Sequence, residues 1–223
     1  MKLTRLPRPR GEPALAVVSH DLSLCQPVEG IARSLDAALA DWATVALQLA
    51  EVGHALEFGA ARHAWPFSEQ MAQAWPVAGI ERMCAPPDGD AAAADLTLVV
   101  WTGALPRRAT PDAIRSALRL LTFGVGVPGQ GGTLAPVAVS PDELEGVWTA
   151  DGFGRDVMGH PLDALTWLAN ELPRRGAHLR AGDWVATGAI IPTKIIGAGQ
   201  DAQFHLDRLA EVVAPQVEPL HGT

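Results

Sequence analysis

The sequence predicts an α+β fold, on two observations. Short β-branched runs bounded by polar turns, "PALAVVSHDLS" at 13–23 and "DLTLVVWTG" at 95–103, have the composition of strands. Stretches with apolar residues at helical spacing, carrying capping residues at their ends, fall between and after them. Of the 223 residues, 48 % are hydrophobic, enough for a sizeable core.

Taken in order, residues 14–18 are expected as the first strand. "SLDAALADWATVALQLAEVGHALEFG" (34–59) places Leu35, Ala38, Leu39, Trp42, Val45, Ala46, Leu49, Val52 and Leu56 at helical spacing. Ser34 suits its N-cap and Gly59 the position past its end. It is read as one long helix or as a pair divided at Gly53. The Trp- and Pro-punctuated segment 63–79 reads as irregular, and "PPDGDAAAAD" (86–95) as a loop before the strand at 95–103. "TPDAIRSALRLLTFG" (110–124) reads as a helix, with Thr110 as N-cap, Pro111 in the first turn and Gly124 after the end. A strand and a turn follow over 134–148. Pro161 opens a helix over 161–175 that Gly176 closes, with Leu162, Leu165, Trp167, Leu168 and Leu172 as its apolar surface. Strands are expected at 183–187 and within 201–213.

Charge and composition exclude several classes of function. A formal net charge of -8 argues against a nucleic-acid or anionic-membrane surface, which needs a basic patch. Lys2, Arg5, Arg8 and Arg10 cluster near the start, but prolines interrupt them and "ALAVV" behind them is too short for a signal sequence. No segment approaches the roughly 18 apolar residues of a spanning helix. Two cysteines, Cys25 and Cys84, are too few for a disulfide framework or a zinc cluster and read as reduced thiols of a cytoplasmic protein. The seven histidines show no metal-ligand spacing. "GVGVPG" (124–129) matches a dinucleotide fingerprint in letters only; a helix is expected before it and "GQGGT" after it cannot begin one, so it reads as a glycine loop. The serines lack the setting of a nucleophile elbow.

One series of motifs is more specific. "GHPLDALTWLANEL", followed by "LRAGDWVATG", resembles the C-terminal part of the fumarylacetoacetate hydrolase superfamily, in particular its 2-oxopent-4-enoate hydratase and oxalocrotonate decarboxylase branch. "LAVVSHDLS", "LDAALADW" and "ARHAWPF" resemble the opening of bacterial members, and "ATPDAI" and "LAPVAVSPDELEGVW" their middle. The resemblance implies a mixed β-rich barrel or roll with flanking helices, assembled as a homodimer. Residues 1–85 would form an N-terminal strand and helical region and residues 86–223 the β-rich domain. It also implies a pocket for a 2-oxo acid-like small molecule and hydratase, hydrolase or decarboxylase chemistry.

In the resembled family a Glu-x-Glu pair on a strand and a later acidic residue hold Mg²⁺ or a similar hard cation. The cation grips the carboxylate and keto oxygens of the substrate and stabilises an enolate, work that suits oxygen ligands. Laid on this chain, the strand pair becomes Asp95 and Thr97, and the later acid becomes Gly124. The family's Thr-Gly-Thr strand end becomes Thr187-Gly188-Ala189, and the chain skips most of the family's segment between "ARHAWPF" and the strand at 95. Asp95 is the one carboxylate left for a metal. By the resemblance, Thr187, Gly188 and Lys194, the one internal lysine, would form the substrate-binding set; no catalytic residue is assigned. No cofactor is expected, with Mg²⁺ only if the ancestral site is retained. Two readings stand: an active superfamily enzyme, or a catalytically degenerate homologue acting as a ligand-binding or partner subunit.

Overall fold

The computed structural model describes residues 1–73, 75, 81–82, 93–106, 108–127, 131–144, 161–189, 194–195, 203–206 and 210–213. Of the loop expected over 86–95, residues 86–92 lie outside these residues, as does Cys84, whereas 93–95 are strand.

β1 (Lys2–Leu6) and β2 (Ala14–Val18) run antiparallel, and β2 is buried at every position because both of its faces are covered. β3 (Leu24–Pro27) and the two-residue β4 (Trp65–Pro66) extend the sheet outward. On the other side of β1 come β9 (Val137–Val139), β7 (Leu118–Val127), β6 (Ala93–Thr102), β10 (Trp184–Ala189) and β5 (Glu81–Arg82). β8 (Gly131–Leu134) adds to β7 and β11 (Lys194–Ile195) to β6, giving eleven strands among the described residues. β10 and β5 are parallel and the other pairs antiparallel, so the sheet draws strands from both sides of residue 85. The strand expected within 201–213 is a separate hairpin, β12 (Gln203–Leu206) with β13 (Ala210–Val213).

Helices cover the two faces. α1 (Leu35–Ala40) and α2 (Trp42–Glu57) supply Ala38, Val45, Leu49 and Leu56 to a core with Leu3, Leu15, Val17, Val99, Trp101 and Leu120. α3 (Pro111–Ala117) and α4 (Pro161–Glu171) supply Ile114, Leu162, Leu165 and Leu168 to a second core with Val18, Val100, Leu121, Val139 and Val185. Along β2 the assignment alternates, Leu15 and Val17 to the first core and Ala16 and Val18 to the second, as the two-residue period of a strand requires.

Most helix boundaries follow local signals. The Ser34 side chain accepts a hydrogen bond from Ala37 N at 3.2 Å, and Thr110 does the same for Ala113 N at 3.2 Å. The break in the 34–59 segment is at Asp41 (φ -126°, ψ 47°), not at Gly53, which lies inside α2. α4 tightens into a 3₁₀ turn over Leu172–Arg175, where Pro173 has no amide to continue the α-helical ladder. Gly176, at φ +77°, then ends it, its N–H bonded to Pro173 O at 3.2 Å and that of Ala177 to Leu172 O at 3.0 Å. A Cβ at 176 would meet nothing within 4 Å, so Gly176→Ala tests conformation alone. It should lower stability by about 1–2 kcal/mol, the cost of a left-handed backbone for an L side chain, read from chemical unfolding.

Two expectations are corrected. The helix expected over 110–124 stops at Ala117, and Leu118–Val127 is strand β7. Its residues meet both cores, Leu120 one and Leu121 the other, and a strand buried on both faces has a continuous apolar run whose period resembles a buried helix. Gly124 is therefore a mid-strand residue, and Gly124–Val127 of the supposed glycine loop belong to β7. Trp167 is 47 % exposed instead of packed on the sheet. The buried stripe of the helix is Leu162, Leu165, Leu168, Ala169 and Leu172, at three- and four-residue steps that pass Trp167 by.

Asn170, in the last turn of α4, fixes the approach to α3. Its Nδ2 donates to Ala109 O at 2.9 Å and its Oδ1 accepts from Ala109 N at 3.0 Å, so one side-chain amide closes both backbone groups of a buried residue next to the Thr110 cap.

Candidate functional site

β6 lies between β7 and β10, and its ladders place the residues singled out in the sequence. Asp95 pairs with Gly126, Thr97 with Gly124, Val99 with Thr122 and Trp101 with Leu120. Across the other edge, Val99 pairs with Ala186 and Thr97 with Ala189. Two residues, Thr187 and Gly188, thus stand against Leu98 alone, which makes a β-bulge. β11 pairs Lys194 with Ala94.

Strand alternation assigns these positions to faces. Val99 and Trp101 belong to the core under α1 and α2, and Val100 to the core under α3 and α4. Positions 95 and 97 fall on the first face, and so do their partners at 124, 126 and 189. In β10, Val185 belongs to the second core and Ala186 to the first, so the buried Thr187 falls on the second face. Lys194, level with Ala94, falls on that same face. From the level of Leu98 to that of Ala94 is four residues of strand, about 13 Å at the usual rise. Thr187 and Lys194 are thus placed by register on one face of β6, and Asp95 on the other.

On the first face Ala189, Thr97, Gly124 and Leu134 follow one another across four strands as direct partners. The positions aligned with the family's acids are therefore neighbours in space. Their chemistry differs from that of a cation site: Asp95 has a carboxylate, Thr97 a neutral hydroxyl and Gly124 no side chain. Among the described residues no group of three or more His, Cys, Asp or Glu could hold a metal ion. A hard divalent cation gives up water for several oxygen ligands of which some are anionic, and this donor set does not fit one.

The same face carries a cleft at the Trp101 end of β6. Its volume is about 360 Å³, and Arg5, Glu12, Leu15, Asp36, Trp75 and Trp101 line much of it. Trp75 meets Trp101 edge to face at 6.0 Å between ring centroids, and the Arg5 guanidinium carbon lies 5.9 Å from the Trp75 ring centre. Burial lowers the Arg5 pKa, against the opposing pull of Glu12 and Asp36. No short motif announces this cleft, because its walls come from residues 5, 12, 36, 75 and 101.

A second polar cluster sits in the turn after β2. Asp21 Oδ1 accepts from Ser19 Oγ and Ser23 Oγ, both at 2.7 Å, and from Ser23 N at 3.0 Å. The Ser19 and Ser23 bonds hold the Asp21 carboxyl down at about 2, from an ordinary 3.8. A folded-state pKa below the unfolded one contributes stability that is present above pH 3.8 and is lost as pH falls through about 2. Ser19→Ala should raise the Asp21 pKa toward its ordinary value, as read by carboxyl-carbon NMR titration. An unchanged midpoint would mean that Ser23 alone sets it.

Residues 1–76 match the family model described as Fumarylacetoacetase N-terminal domain 2. The chain is 42 % identical over 67 residues to a 2-keto-4-pentenoate hydratase of Burkholderia vietnamiensis, covering 30 % of this chain and 26 % of the hydratase. It is 36 % identical over 63 residues to a 4-oxalocrotonate decarboxylase of Pseudomonas putida, covering 28 % of this chain and 24 % of that one. The matches thus span about a quarter of the length of these curated relatives. In fold, it is similar over 98 % of its length to the whole of maleylpyruvate hydrolase from Sphingobium sp. SYK-6, with a TM-score of 0.63 at 12 % identity. The same hydrolase solved with manganese(II) ion and pyruvate gives a TM-score of 0.62, again at 12 % identity, over 98 % of this chain and 99 % of that one. Residues 1–76 thus resemble a fumarylacetoacetase N-terminal domain, short stretches resemble hydratase and decarboxylase relatives, and the α+β fold is similar along its length to that of maleylpyruvate hydrolase.

Proposed function

We propose that this protein receives a 2-oxo acid-like small molecule at the bulge of β10, with Thr187 and Gly188 against the ligand and the Lys194 ammonium balancing its carboxylate. The bulge carries this reading. It interrupts an otherwise paired β6–β10 ladder at the residues that the family resemblance marks, and bulges recur where a strand must re-aim its groups beside a binding site. The hydratase and decarboxylase relatives supply the ligand class, and turnover would be hydration, hydrolysis or decarboxylation of such an acid. A second reading, a catalytically degenerate homologue acting as a ligand-binding or partner subunit, is favoured by the carboxylate-poor row at Asp95, Thr97 and Gly124.

Calorimetric titration with pyruvate, the molecule bound in the hydrolase of similar fold, tests the binding site. Wild type should bind it, and Lys194→Ala should weaken binding by roughly tenfold or more, the loss of one charge-assisted contact, with an unchanged melting temperature. Absence of pyruvate binding to wild type would end the proposal. Incubation with 2-oxopent-4-enoate then separates the readings: consumption identifies an enzyme, and binding without consumption the degenerate homologue.

A further inference from the structure

We infer that this protein holds no divalent cation on the β6–β7 face, and that its 2-oxo acid is bound without one. The part that concerns the ligand rests on the function proposed above. The register retains the place for a cation. Thr97 and Gly124 are direct cross-strand partners, a relation that brings Cβ positions to about 5 Å, and Asp95 is the next position on the same face of β6. Acids at 97 and 124 would therefore stand with Asp95 around one point. The chain has kept this backbone juxtaposition and lost two of the three anions that would make it bind.

Substrate oxygens could in principle complete a shell begun by a single carboxylate, since Mg²⁺ is often held by one or two carboxylates and a ligand. The faces argue against that here. Asp95 falls on the α1–α2 face of β6, whereas Thr187 and Lys194 fall on the α3–α4 face. An acid held at the Thr187 and Lys194 positions falls by register on the opposite face of the sheet from Asp95, so one ion does not join the two. On the function proposed above, the Lys194 ammonium takes over the positive charge that a cation would otherwise bring to the ligand's carboxylate.

The test uses the full chain and two measurements. Free Mn²⁺ followed by electron paramagnetic resonance should show no saturable binding to wild type. Thr97→Glu with Gly124→Asp should bind one Mn²⁺ per chain, roughly a hundredfold tighter or more, because ligand charge dominates affinity for hard cations. Gly124 lies in a regular stretch of the β6–β7 ladder. Circular dichroism establishes that the variant is folded; should it fail, Thr97→Glu alone should gain weaker binding that Asp95→Asn removes. The second measurement is pyruvate calorimetry in EDTA and in Mn²⁺, where equal affinities are expected.

Stoichiometric Mn²⁺ binding by wild type that Asp95→Asn abolishes would overturn the inference. So would pyruvate affinity that falls about tenfold or more in EDTA. Folded variants that gain no Mn²⁺ would overturn the placement of the cation site at these positions. Pyruvate that binds in neither buffer would end the proposed function, while the Mn²⁺ result would still decide whether the cation site exists.

Discussion

Replacing Leu165 by alanine should lower the stability of the fold by about 2–5 kcal/mol, the range for emptying a buried leucine site. The residue has no exposed surface and belongs to the core that joins α4 to Ile114, Leu121 and Val185. Elements on two sides limit how far the site can collapse, since α4 packs on both α3 and β10. Trp167→Ala, two residues along the same helix, is the control. Its side chain is 47 % exposed, so it should cost less than about 1 kcal/mol despite removing the larger group. Urea unfolding of the two variants gives the comparison. Equal losses would mean that the helix presents a different stripe to the sheet.

The next largest effect is expected at Asn170. Truncation to alanine leaves the N–H and the C=O of Ala109 without their partner, beside a residue that is itself buried. An unmet buried group costs about 1–3 kcal/mol, so Asn170→Ala should lose roughly 2–4 kcal/mol. Asn170→Asp separates the two bonds. A carboxylate still accepts from Ala109 N but has nothing to donate to Ala109 O, and it sets two acceptors against each other. It should therefore recover little of the loss. If the aspartate variant were as stable as wild type, the bond to Ala109 O would contribute nothing.

The parts of this fold legible in the sequence were those set by neighbours in the chain. Ser34, Thr110, Pro161 and Gly176 act within a few residues of themselves, and each does the capping or stopping that its chemistry suggests. β6 and β10 were also legible, because their β-branched runs and bounding turns are short and distinct. β7 was not: its apolar run serves two cores at once, and only partners distant in sequence distinguish that from a helix. Trp167 misled because size was taken for burial, whereas the three- and four-residue stripe decides. At the candidate site, the row through Thr97 and Gly124 could not be anticipated, because it needs β7 as a strand. Nor could the division of Asp95 from Thr187 and Lys194, since a bulge changes face assignments and leaves no letter in the sequence.

The pairing of β1 with β9 has a consequence for synthesis. Lys2 stands opposite Val139 and Thr4 opposite Val137, so one edge of β1 waits for residues translated more than 130 positions later. On the ribosome β1, β2 and β3 can form their hairpins early, but β1 then presents an open edge, with Leu3 and Leu6 lacking part of their cover. Contacts of such long range slow folding and lengthen the exposure of that edge. Release of a chain truncated before residue 137 would leave the edge permanently open. Such fragments should aggregate during expression, whereas chains that include β9 should remain dispersed.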